Sequence, residues 1–307
     1  MAILVADVGG TNSRLGLSKG GQLDWNSIQA FENVAFGSFY DVMRTYLSAQ
    51  VTTEIQNCIV ALAGPISQKS GRLTNLNWEI AVAELKSTAR SQQAVLMNDL
   101  SALGHSLAHL PENGAPHIHA GKVGEPKSAQ RLVIGMGTGF NVSAVTPNTK
   151  GRYSYSKAEV GHIQLPPSVL APFDSDATKH FKIVEEVFSG RGLSNFYAAM
   201  TGESEISGAE ISRQHAAGTS PKASEALKLY AGALGRLTRE LILMYMPVGG
   251  VFFAGSVGRG IFEAGMAAQF LEALHADSHF LDNIADVPIH MIKDDAAALI
   301  GCAAAGV

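Results

Sequence analysis

What the chain lacks narrows its possible functions before any motif is considered. It has two cysteines, Cys58 and Cys302, far apart and each in apolar surroundings. They read as buried thiols rather than as a disulfide or a nucleophile. No apolar run approaches the length that spans a bilayer, and Met1-Ala-Ile-Leu-Val-Ala6 enters a strand with no basic n-region. The expectation is a cytoplasmic protein without membrane contact. Runs of Lys or Arg are missing and the formal charge is −4, so nothing marks a nucleic-acid partner. There is no Gly-x-x-x-x-Gly-Lys-Ser/Thr and no dinucleotide Gly-x-Gly-x-x-Gly, which argues against a P-loop protein and against a Rossmann reductase. His105/His109 and His275/His279 have helical i,i+4 spacing but no neighbouring Cys and no His-Glu-x-x-His, so they read as solvated helix faces. Ala254-Gly-Ser-Val-Gly258 misses the nucleophile elbow Gly-x-Ser-x-Gly, which leaves hydrolase chemistry little support.

What is present starts with Ile3-Leu-Val-Ala-Asp-Val-Gly-Gly-Thr-Asn-Ser-Arg-Leu-Gly-Leu17. An apolar strand delivers Asp7 into a glycine turn that re-enters a second strand. Gly9 and Gly10 are suited to a tight positive-φ hairpin whose N–H groups converge on phosphate. Thr11 adds a hydroxyl, and Asp7 can hold a divalent cation directly or through water. An ordinary Gly-Gly hairpin explains this stretch equally well. A second stretch, Leu132-Val-Ile-Gly-Met-Gly-Thr-Gly-Phe-Asn-Val-Ser-Ala-Val145, repeats the plan of strand, glycine turn with Thr138, and strand. Its Gly137 lies 128 residues after Gly9, about one domain length, so each turn is expected to open its own α/β domain and to grip a nucleotide from its own side.

With 46% hydrophobic and 16% charged residues, 307 residues can bury one large or two ordinary cores. Strand-like runs occupy 2–8, 57–62, 93–97, 131–135, 250–254 and 288–292. Helical stripes run through Phe39, Val42, Met43 and Leu47, and through Leu227, Leu229, Tyr230, Leu234, Leu237, Leu241 and Met244. The alternation predicts α/β architecture with helix-covered sheets. Residues 111–130 read as a loop or hinge, and 201–224 as a surface excursion.

Between the two hairpins, Ala94-Val-Leu-Met-Asn-Asp-Leu-Ser-Ala-Leu103 ends an apolar strand in Asn98-Asp99 and starts a helix. Asp99 alone reads best as a helix N-cap. Between two phosphate turns it also reads as a general base that accepts a hydroxyl proton during attack on phosphorus. Further along come Ala158-Glu-Val-Gly-His-Ile-Gln164 and Val184-Glu-Glu-Val-Phe-Ser-Gly-Arg-Gly-Leu193. Glu159 and His162 flank a glycine and could grip vicinal hydroxyls from one turn, although each alone reads as a surface residue or a cap.

Taken together, the chain resembles the bacterial glucokinase family of the actin, sugar-kinase and Hsp70 superfamily, nearly end to end. The resemblance is carried by Asp7-Val-Gly-Gly-Thr-Asn-Ser-Arg14, Ala63-Gly-Pro-Ile66, Leu73-Thr-Asn75 with Trp78, Asn98-Asp99, Gly137-Thr-Gly139, Glu159-Val-Gly-His162, Glu185 with Ser189-Gly190, and Gly249-Gly-Val-Phe-Phe-Ala-Gly255. It implies an α/β, two-lobed actin-like ATPase (ribonuclease H-like) fold with a nucleotide and sugar cleft between lobes. The implied small domain is 1–109, with the C-terminal helix 293–307 packing back on it, and the large domain is 110–292. It also implies Mg²⁺-assisted, ATP-dependent phosphorylation of glucose at its 6-hydroxyl, commonly by a homodimer. Carried over by position, Asp99 resembles the catalytic base. Asn98, Glu159, His162, Glu185 and Asn75 are similar to the sugar ligands. Asp7 resembles the metal-linked aspartate. Gly9, Gly10, Thr11 and Asn12 match one phosphate turn, and Gly137, Thr138 and Gly139 the other. Gly255 lies in the segment that faces the adenosine.

The related repressor and sugar-kinase branch carries a clustered-cysteine zinc motif and sometimes an N-terminal helix-turn-helix, and this chain has neither. Three positions depart from the family pattern. Asn141 ends a turn where glycine is expected, Val160 stands in Glu-Gly-Gly-His, and Ser256 stands in Ala-Gly-Gly. Asn141 is therefore expected to tolerate positive φ and to crowd ATP mildly. A non-catalytic sugar sensor, or a kinase for another hexose or amino sugar, is the alternative reading.

Overall fold

The computed structural model describes every residue except 1, 51–53, 74–75, 123–128, 148–152, 157, 174, 277–285 and 307. The chain divides into two compact units, Met1–Gly114 with Asp294–Val307, and Ala115–Lys293.

The first unit comprises β1 (Ala2–Val8), β2 (Asn12–Lys19), β3 (Gln22–Glu32), α1 (Phe39–Ala49), β4 (Ile55–Leu62), β5 (Ser70–Arg72), β6 (Glu79–Ala81), α2 (Val82–Ala89), β7 (Gln93–Asn98) and α3 (Asp99–Ser106). The C-terminal helix, Ala297–Ala305, joins it. Its main sheet has the order β3-β2-β1-β4-β7, and β5 pairs with β6 separately. β1, β4 and β7 run parallel, whereas β2 and β3 are antiparallel additions. Alternation along β1 shows why both faces are covered. Ala2, Leu4, Ala6 and Val8 join a core with Phe39, Val42, Met43 and Tyr46 of α1. Ile3 and Val5 point the other way, into a core with Leu299, Cys302 and Ala303 of the C-terminal helix. Truncating Leu4, which is fully buried, to Ala should cost about 2–5 kcal/mol.

The second unit comprises β8 (His117–His119), β9 (Arg131–Met136), β10 (Phe140–Pro147), β11 (Tyr153–Tyr155), α4 (Pro167–Leu170), α5 (Ser175–Thr178), α6 (Val184–Val187), α7 (Gly190–Thr201), α8 (Gly208–Ala216), α9 (Pro221–Tyr245), β12 (Val251–Ala254), α10 (Ser256–Glu263), α11 (Ala267–His275) and β13 (Ile289–Met291), after which the C-terminal helix is α12. Its sheet has the order β11-β10-β9-β12-β13-β8. Here β9, β12 and β13 are parallel, and β10 and β11 antiparallel. The five strands β11-β10-β9-β12-β13 thus repeat the plan of β3-β2-β1-β4-β7, and β8 adds an antiparallel edge.

The long apolar stripe becomes α9, with Ser220 as N-cap and Pro221 in its first turn. Leu227, Tyr230, Leu234, Leu237 and Leu241 are buried, while Leu229 is half-buried and Met244, near the helix end, is exposed. Two segments are more regular than their composition suggests. The polar stretch 201–224 contains α8, anchored by buried Ile211, and the 111–130 segment contains the edge strand β8. A single buried residue in a nine-residue helix, or three residues of strand, is too weak a periodic signal to stand out. No helix among the described residues is long and apolar enough to cross a membrane.

Candidate functional site

In the first unit, register brings the candidate residues to one sheet edge. Val8 pairs with Leu62, and Leu62 with Asn98, so the turn after β1 and the helix start after β7 leave the carboxyl ends of parallel strands in line. Ligands of α/β sheets bind at such ends. The 9–12 turn closes through Gly9 N–H donating to the Asn12 carbonyl at 3.0 Å. It is stapled by buried Asn33, whose Nδ2 donates to the Gly9 carbonyl at 2.8 Å, whose Oδ1 accepts from Ser13 Oγ at 2.7 Å, and whose N–H donates to the Thr11 carbonyl at 2.9 Å. Contrary to expectation, neither Gly9 nor Gly10 has positive φ. The asparagine, rather than a left-handed backbone, shapes the loop. Asn33 was not foreseen, because in sequence it is indistinguishable from an ordinary loop asparagine.

Asp7 faces Arg14 across the β1–β2 ladder. Burial at the strand end pushes its carboxyl up to about 6, with Arg14 pulling the other way. Asn98, rather than Asp99, is the N-cap of α3, and its Oδ1 accepts from Leu100 N–H at 3.0 Å. Asp99 is the first helical residue, and its Oδ1 accepts from Leu100 N–H at 2.9 Å. Both side chains are partly accessible. Asn75 lies outside the described residues.

The second unit repeats this placement with different supports. Gly135 pairs with Ala254, so the 137–139 turn and Gly255 follow the carboxyl ends of neighbouring parallel strands. Gly255 has φ +95, and a Cβ there would lie 2.2 Å from the Met136 carbonyl oxygen, so only glycine lets α10 start against the turn. Gly190 N–H donates to the Gly137 carbonyl at 2.8 Å, which sets the Ser189-capped start of α7 there as well. Two helix N-termini beside exposed Thr138 make a favourable place for phosphate oxygens.

The carboxylates are tied to the same turn. Glu185 Oε2 accepts from Phe140 N–H at 3.0 Å, and it comes so close that a Cβ on Gly139 would lie 2.6 Å away. Glu159 Oε2 accepts from Asn141 Nδ2 at 3.0 Å. The same Nδ2 donates to the Ala158 carbonyl at 2.7 Å, and Asn141 Oδ1 accepts from Val142 N–H at 2.8 Å and Val160 N–H at 3.0 Å. This corrects the expectation for Asn141. It is an extended residue of β10 without positive φ, and its amide supports the Glu159 segment. Glycines 137 and 139 also lack positive φ. Glu159 and His162 are exposed, and His162 N–H donates to the Glu159 carbonyl at 3.1 Å to close a short 3₁₀ turn, Val160–His162.

His105 and His275 are not the solvated helix-face residues their spacing suggests. His105 is half-buried, and burial, helped by His109, pushes it down to about 4. His109 lies beyond the end of α3. His275 sits near His119 and Asp286, and His279 lies outside the described residues. Cys58 and Cys302 are buried free thiols. Burial pushes Cys58 up to about 12 and Cys302 higher, which removes both as nucleophiles.

A family model described as Glucokinase matches residues 4–306. A glucokinase of Nitrobacter hamburgensis is 28% identical over 311 residues, covering 98% of this chain and 95% of that protein. The crystal structure of a glucokinase from an Antarctic psychrotroph is 27% identical, with a TM-score of 0.84 over 99% of this chain and 98% of that one. A ROK family glucokinase from Streptomyces griseus, solved with glucose and AMPPNP, shares the fold at 18% identity, with a TM-score of 0.67 over 99% and 97% of the two chains. The doubled sheet plan is that of the actin-like ATPases.

Proposed function

The chain belongs to the glucokinase family, and on that premise we propose which of its residues carry out the ATP-dependent phosphorylation of glucose. The observation that carries the assignment is the register Val8–Leu62–Asn98, which lines up a phosphate-type turn and an acid at one sheet edge. Asp99 accepts the proton of the glucose 6-hydroxyl as that oxygen attacks the γ-phosphorus of ATP. The phosphorus–oxygen bond to the β-phosphate breaks, and ADP leaves. Asn98 turns its amide donor to the sugar, since its carbonyl oxygen caps the helix. In the second unit, Glu159, His162 and Glu185 are the residues for sugar hydroxyls. The N–H groups of the 137–139 turn, with the starts of α7 and α10, suit phosphate oxygens. Asn75 is carried over from the family resemblance alone.

The reading includes Mg²⁺. Asp7 fits it, being a carboxylate whose burial is offset only by Arg14 and which would gain from a cation beside the accessible 9–12 turn. When bound, the ion would offset charge on the phosphate oxygens. A cytoplasmic homodimer completes the proposal. The two free thiols agree with a reducing compartment, and the dimer rests on the family resemblance and is checked by the mass in solution.

Asp99→Asn tests the assignment. The amide keeps shape but takes no proton, so turnover should fall by about 10²- to 10⁴-fold while calorimetry shows glucose bound nearly as in the parent. A rate close to the parent's removes Asp99 from the mechanism.

A further inference from the structure

We propose that His119, His275 and Asp286 form a binding site for a divalent transition-metal ion of the zinc type, separate from the residues of phosphoryl transfer. All three belong to the second unit and are brought together by its edge strand. His119 ends β8, His275 ends α11, and Asp286 lies just ahead of β13, which pairs with β8 through Ile289 and His119. The backbone is already set there. Lys122 N–H donates to the Asp286 carbonyl at 3.0 Å, and the chain at Gly121, φ +68, comes so close to that carbonyl that a Cβ would lie 2.6 Å from it.

The donor atoms converge. His119 Nε2 lies 2.5 Å, and His275 Nε2 3.7 Å, from Asp286 Oδ1, and one ligand atom from each residue lies within 4.8 Å of the others. Tetrahedral zinc with bonds near 2.0–2.1 Å wants its ligand atoms roughly 3.3 Å apart. To reach that spacing His119 and Asp286 need to open by about 0.8 Å, His275 and Asp286 to close by about 0.4 Å, and the two imidazole donors to close by at most about 1.5 Å. Imidazole side chains make such moves by small rotations. The His119 and His275 side chains are 27% and 37% exposed, whereas His275 Nε2 itself is turned inward toward Asp286, so an ion reaches the donors by parting the imidazole–carboxylate contacts, with a water as fourth ligand. Lys122 Nζ, 3.3 Å from Asp286 Oδ2, is the competing cation, but it addresses the other carboxylate oxygen from a side chain that is 88% exposed. Two imidazoles and one carboxylate favour zinc over magnesium, which prefers oxygen ligands and retains its waters. The site would therefore stay distinct from a magnesium ion serving ATP.

The test is isothermal titration of the full chain, free of any polyhistidine tag, with Zn²⁺ in excess Mg²⁺, alongside Co²⁺ absorption. One zinc per chain and a tetrahedral Co²⁺ spectrum are expected, with a raised Tm on zinc addition. His275→Gln and His119→Gln should each weaken binding by at least about tenfold and abolish the spectrum. His117→Gln, in the neighbouring ring pair with His290, should leave both unchanged. Circular dichroism and retained glucose phosphorylation show that the variants are folded. Absence of zinc binding, or equal binding by the parent, His275→Gln and His119→Gln, overturns the proposal and leaves a hydrogen-bonded cluster that ties down the sheet edge.

Discussion

The two units carry the same strand, turn and strand at the same place in the same sheet plan, yet they support the turn by different means. In the first unit the acid, Asp7, is part of the strand itself, and the turn is held by a neutral buried asparagine, Asn33. In the second the strand carries no acid. The turn instead reaches outward, through Phe140 N–H to Glu185 and through Asn141 to Glu159. The difference implies a division of labour. Disturbing the first turn should alter nucleotide and metal alone, whereas disturbing the second should reach the sugar through the carboxylates tied to it.

Among changes to the two turns, Asp7→Asn gives the largest expected effect and isolates the first turn. On the proposed role of Asp7 as the magnesium-linked carboxylate, its loss removes several kcal/mol of charge stabilisation, so kcat/KM for ATP should fall by about 10²-fold or more, with glucose affinity retained. The same change should stabilise the free protein. The Asp7 carboxyl titrates near 6 when folded and near 3.8 when unfolded, so the folded state holds the proton more tightly between these values. Parent stability therefore falls as pH rises from about 4 to about 6, by up to about 3 kcal/mol. In urea unfolding, Asp7→Asn should gain over the parent at pH 7 and lose that advantage near pH 4. An equal difference at both pH values contradicts the burial argument.

Asn141→Gly probes the second turn. Removing the amide leaves Glu159 without its donor, and hydrogen bonds to charged groups contribute about 1.5–3 kcal/mol. KM for glucose should rise by about tenfold, with KM for ATP little changed. A fall in KM for ATP alone would restore the view that the side chain crowds the nucleotide, and would break the comparison.

Asn33→Ala gives the smallest activity effect. The Gly9 carbonyl and Ser13 hydroxyl lose their partner, which should cost about 1–3 kcal/mol in denaturant unfolding. KM for ATP should rise severalfold while KM for glucose stays constant. A matching rise in KM for glucose would show that the first turn also reaches the sugar.

Legibility in sequence followed signal strength. The run at 131–135 became Arg131–Met136 and the stripe from Leu227 became α9, because buried parallel strands and long helices leave many apolar residues in register. α8 and β8 were hidden, since one buried residue or a three-residue edge carries almost no periodicity. At the candidate site, the glycine turns and Asn98-Asp99 could be seen at strand ends. The bonds that support the turns could not. Asn141 looked like a turn residue because the family pattern has a glycine there, and only the fold brings Ala158 and Glu159 to its amide. The His119, His275 and Asp286 cluster draws on three separate segments, which no local spacing reports.

The central claim, sugar phosphorylation from ATP, is tested most directly by a coupled assay of the purified chain over a panel of hexoses with ATP, ADP and polyphosphate as donors. The account predicts Mg²⁺-dependent formation of glucose 6-phosphate from ATP, with glucose the preferred sugar. ATP hydrolysis without sugar phosphate, or turnover only with another donor, would contradict it.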